Sequence, residues 1–169
     1  MKHYPCCAEY LRNTIPVLDK PAGDNTKRDI YSSMPQDYRI DEQQQVLWTR
    51  CWGVLSDQDI IAHQAKLRAD PKFSPTIKQF VDACDVTKVA VTVEAVNQLG
   101  ASTLFAPAAK RAYFVGKDAL YGLVRMYEMQ QAARGTDSIR VFRDRAVALA
   151  WLGITEPKPG MPKDGSQGS

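Results

Sequence analysis

Hydrophobic and polar positions form a dense, regularly punctuated block between two stretches that show no period. From residue 36, "QDYRID" alternates and puts Tyr38 and Ile40 on one face, with turn residues following at "DEQQ". "VLWTRCWGVL" alternates again, so the two runs predict a β-hairpin. Ser56 and Asp59 have the spacing of a capping box, which predicts a helix to about Ala69, ending before Pro71. "IKQFVDA" reads as a short buried strand, and Thr92 is placed to cap a helix over "VEAVNQLGA". "RAYFV" is the next strand, with Asp118 expected to cap a helix reaching about Arg134. "SIRVF" is a last strand before a closing helix, "DRAVALAWLG", that Gly153 ends.

The order β-β-α-β-α-β-α-β-α predicts an α/β fold: a mostly parallel five-stranded sheet with an N-terminal hairpin, packed by four helices. Residues 34–154 form the expected domain. Residues 1–33 lack a sustained period and read as a mobile arm, and 155–169, "TEPKPGMPKDGSQGS", read as a disordered tail. At 169 residues the chain suits one domain with a real core. Net charge is only +3 with no dense basic block, which argues against a nucleic-acid surface. No apolar run approaches the roughly 18–20 residues that span a bilayer. The N-terminus has no apolar signal core and the cysteines form no CxxC or disulfide spacing, so the cytoplasm is the expected compartment. Cys6 and Cys7 read as plain thiols, since only His3 is nearby to complete a metal site.

Catalytic chemistry finds little support. The two histidines, His3 and His63, stand in no triad or HExxH context, and His63 is expected at an exposed or edge position. Asp82 and Asp85 are close enough in sequence to pair as carboxylates, but Asp at a strand end or turn more simply supports the backbone. Gly-rich phosphate loops are absent, and the acid at Asp118 opposes an anion at "VGKDAL". No metal site and no cofactor are expected, and the chain reads as a non-enzyme.

Two surfaces are candidates for partner recognition. On the helix from 118, Leu120, Leu123, Val124, Met126 and Tyr127 share an apolar face, while Tyr121, Arg125, Glu128 and Met129 fall opposite. An exposed Tyr, Arg and Met suit an interface, and Tyr121 and Arg125 are spaced to stack. On the second strand, Val46, Trp48, Arg50, Trp52 and Val54 share one face. Two outcomes are open there: a sheet covered on both sides buries both tryptophans, and one covered only on the Leu47–Cys51 side exposes them for a partner or second copy.

The order of elements resembles the SpoIIAA-like superfamily, the fold of STAS domains, including bacterial anti-sigma-factor antagonists. More closely, "YRID", "GVLSDQDIIAHQAKLRADPKF", "FVDACDVT", "YGLVRMYE" and "VFRDRAVALAWLG" are similar to small bacterial STAS/SEC14-type proteins, over roughly residues 34–153. The resemblance implies a SpoIIAA-like fold without an assigned activity. It also implies a start near Met34, which makes residues 1–33 either an appended arm or an over-extended reading frame. Antagonists of that superfamily are phosphorylated within an Asp-Ser-Ser-Gly segment; Thr92 falls at the switch position, but Ala90, Val91 and Val93 replace its neighbours. Thr92 is therefore expected to be an N-cap first, and partner switching by phosphorylation is put in doubt. The expected function is a protein-interaction or regulatory module, binding a protein partner or itself as a homodimer. The alternative is a carrier of a small apolar ligand or lipid of SEC14 type. A lipid pocket needs about 300 Å³ or more, and the chain is short of the extra helices to enclose one.

Overall fold

The structure, a computed structural model, describes residues 35–156. The arm at 1–33, the proposed start at Met34, the Cys6–Cys7 pair and the tail beyond Glu156 lie outside the described residues. Nine elements run in the expected order: β1 (Gln36–Asp41), β2 (Val46–Ser56), α1 (Asp57–Ala69), β3 (Lys78–Ala90), α2 (Val93–Ala101), β4 (Arg111–Phe114), α3 (Asp118–Ala133), β5 (Ile139–Phe142) and α4 (Arg145–Leu152). The sheet order is β1-β2-β3-β4-β5, with β1 antiparallel to β2 and every other pair parallel. The α/β fold with its N-terminal hairpin is as the sequence predicts.

Local chemistry explains the punctuation. Asp41 turns the hairpin by accepting from the backbone N–H groups of Gln43 and Gln44, both at 3.0 Å. The carboxylate of Asp59 accepts from the Ser56 backbone N–H at 2.8 Å, the acid half of the predicted capping box. Asp144 accepts from Val147 N–H at 3.0 Å to open α4. Gly153 closes it at φ 64°, in the left-handed region that favours glycine.

Two elements differ from the sequence reading. β3 is thirteen residues long, not the short run "IKQFVDA". It continues because β2 extends to Ser56 and supplies a ladder, with register shifts near Arg50/Trp52 and Gly53/Val54. Those irregularities break the period of two, so Val86 is buried and Val89 packs against the same cluster although they are three residues apart. The second difference lies at α3, where Lys117 holds the cap position and Asp118 is the first helical residue.

Each parallel strand lies beside its predecessor in one direction across the sheet, so right-handed crossovers put α1, α2 and α3 on one face. α4 follows the last strand, connects nothing, and packs on the other face against β3, β4 and β5. Three helices therefore cover one side and one short helix the other.

Candidate functional site

On the three-helix face a cavity of about 100 Å³ opens between the sheet and α1, α2 and α3. It forms where β2 and β3 present the short side chains Thr49, Cys51 and Ala83 beneath the meeting point of the helices. Gln79 Nε2 donates to Thr49 Oγ1 at 3.1 Å, which satisfies that pair within the floor. Leu99 of α2, Leu104 of the following loop, and Leu123 and Val124 of α3 supply apolar wall. Burial pushes the Cys51 thiol up to about 12, so it stays protonated and is no nucleophile at neutral pH.

Three residues line this cavity with a buried polar atom that has no hydrogen-bond partner: Gln36, through its Oε1, His63 and Arg111. His63 reaches it from α1, edge-on to Tyr38 with ring centroids 5.6 Å apart. Its Nε2 is buried without a hydrogen-bond partner, and burial lowers its pKa to about 4. His63 is half-buried, in keeping with the expected edge position, with its ring turned toward the cavity. Arg111, at the start of β4, is only 8% exposed. Its Nη1 donates to the Tyr127 hydroxyl at 2.8 Å, and the guanidinium lies 5.0 Å from the Phe105 ring centroid. Its Nε has no hydrogen-bond partner, and it makes no salt bridge among the described residues.

The opposite face divides the tryptophan strand. Trp48 is half-buried against Phe80, with centroids 5.2 Å apart, in the cluster under α4. Arg50 pairs with Asp85 at 2.7 Å, its guanidinium 6.0 Å from the Trp52 ring. Trp52 is 38% exposed and Val54 50%. The eight residues of α4 span only about 12 Å, enough for β3 to β5 but not for the far end of β2. Asp82 takes Arg145 at 2.6 Å, so Asp82 and Asp85 each face an arginine instead of sharing a proton. Burial raises the Asp82 pKa, against the pull of the Cys84 N–H and of Arg145.

The residues of the α3 surface are spread among different partners. Tyr121 packs partly on the core, and Arg143, not Arg125, stacks on its ring at 4.3 Å. Arg125 pairs with Glu128. Glu128 in turn accepts from the Val141 N–H at 3.3 Å, holding the exposed edge of β5. Met129 is 62% exposed. Arg143 also donates to the Gly116 carbonyl at 2.8 Å and pairs with Asp118, which closes the "VGKDAL" connection from outside.

Thr92 caps α2, its Oγ1 accepting from Ala95 N–H at 3.2 Å, while its own N–H and hydroxyl donate to Asp57, each at 2.7 Å. A phosphate there would face the Asp57 carboxylate. Thr92→Ala is expected to lower stability by about 1 kcal/mol, read by urea denaturation; no change would mean that solvent replaces the cap fully.

Among the described residues no group of three or more His, Cys, Asp or Glu could hold a metal ion. No helix among them is long and apolar enough to cross a membrane. No family model matches the chain, and no curated protein matches it. Among solved structures it is similar to an uncharacterized protein of the DUF3478 family from Shewanella loihica PV-4, described as having a SpoIIAA-like fold. The two share 19% identity at a TM-score of 0.46, over 69% of this chain and 93% of that one.

Proposed function

We infer that the chain is a non-catalytic binding domain that takes a small, largely apolar ligand into the cavity under α1, α2 and α3. The cavity itself carries this reading, because close-packed interiors hold few voids larger than a water molecule. Its volume, about 100 Å³, falls well short of what a lipid carrier needs, so the ligand is small. Native mass spectrometry of the full chain after mild purification is expected to show an added mass that organic extraction removes. A bare mass that titration with small hydrophobic compounds does not change would overturn the reading.

A second reading is favoured by the exposed Trp52 and Val54 beside the Arg50–Asp85 pair. Exposed Trp and Arg suit the centre of an interface, and a second copy or a protein partner would cover them. In the same spectra that reading expects twice the chain mass, lost on Trp52→Ser.

A further inference from the structure

We propose that the cavity is built for a small monocarboxylic acid, whose carboxylate meets Arg111 and whose hydrocarbon part lies among Leu99, Leu123 and Val124. The inference rests on the cavity-binding reading above and gives its ligand a chemical class.

The argument starts from an uncompensated charge. A buried ion is ordinarily paired, because removing it from water costs several kcal/mol even after relaxation. Arg111 is more than nine-tenths buried, and among the described residues no carboxylate reaches it. What does hold it is neutral: the hydroxyls of Tyr127, on Nη1, and of Tyr113, and the faces of Phe105 and Tyr127. Ring faces attract a cation but leave its charge in place. Tyr127 and Phe105 fix the plane of the guanidinium, while Nε has no hydrogen-bond partner. A guanidinium engages a carboxylate through its N–H donors.

Size and charge narrow the class. An engineered cavity of about 150 Å³ holds the six carbons of benzene, so about 100 Å³ takes about four or five non-hydrogen atoms in all, the carboxylate included, by the same proportion. Arg111 brings one positive charge, and His63 stays neutral at pH 7. One charge matches a monoanion. A phosphate ester would leave a second negative charge against leucine and valine.

Isothermal titration calorimetry of the full chain at pH 7, with propanoate and its neutral isostere propanamide, separates the claims. Propanoate is expected to bind at least about tenfold more tightly, the difference that charge-assisted bonds make. Arg111→Met should erase that preference and leave propanamide binding within about twofold. Arg111→Lys, which keeps the charge without the fork, should retain part of it. Equal affinity of the wild-type chain for both compounds would overturn the carboxylate inference alone and leave the cavity reading standing. Binding of neither would overturn both. The wild-type comparison decides even where a variant fails to fold.

Discussion

Phe80→Ala is expected to destabilise the fold by about 3–5 kcal/mol, the range for truncating a fully buried aromatic. Phe80 is the third residue of β3, on the face served by α4 alone. Its ring is 1% exposed and stands 5.2 Å from Trp48 and 6.5 Å from Phe114. The Arg145 guanidinium lies over it at 4.8 Å, so truncation also removes the surface on which the partner of buried Asp82 rests. α4 has only eight residues and little stability of its own. It stays helical because Ala148, Leu149 and Leu152 pack on this cluster. The loss should therefore appear in urea denaturation together with a weaker near-ultraviolet signal from Trp48 and Trp151. Met129→Ala, at an exposed site, is the control and should stay within about 0.5 kcal/mol. A cost below about 1.5 kcal/mol for Phe80→Ala would mean that this face relaxes into the space, against the rigid packing described.

The order of elements was legible because its signals are local. Ser56 with Asp59, Asp144 and Gly153 mark helix ends by bonds that span three or four residues. The excess length of β3 was not legible, because it depends on a ladder supplied by β2 and on irregular register that erases alternation at Thr87 and Lys88. Asp118 looked like a cap for want of a visible rival; Arg143, twenty-five residues away, takes its carboxylate.

The cavity was hidden for the same reason. Its lining comes from four strands and three helices, and nothing in any one segment reports a gap between them. One signal was present. Arg111 alternates with Tyr113 and Val115, so the strand that sends Val115 inward must send the arginine inward too. The tryptophan strand shows the limit of pattern alone, since alternation set the shared face but the length of α4 decided that Trp48 is covered and Trp52 is not.

Acid should weaken this protein through His63 before the carboxylates titrate. In the fold its pKa is lowered from 6.5 to about 4, chiefly because burial disfavours the charged imidazole, and next because Lys66 is near. Asp37 acts in the opposite sense and does not prevail. Between pH 6.5 and about 4 the unfolded chain therefore binds a proton that the folded chain refuses, so stability falls as pH falls through that window and levels off below it. At about 1.4 kcal/mol per pH unit, the loss amounts to about 3 kcal/mol. Asp82 contributes with the opposite sign: its raised pKa makes the folded state the better proton acceptor, so it adds stability as pH drops through the carboxylate range. His63→Leu should remove the first slope and leave the second visible. The substitution also replaces a buried nitrogen that has no partner with a side chain suited to the neighbouring Leu67 and Leu55. Urea denaturation of both proteins at intervals from pH 7.5 to 4 would measure this. Curves that stay parallel from pH 6.5 to 4.5 would show that His63 takes up its proton inside the fold as readily as in the unfolded chain, and would mean that water reaches the cavity floor.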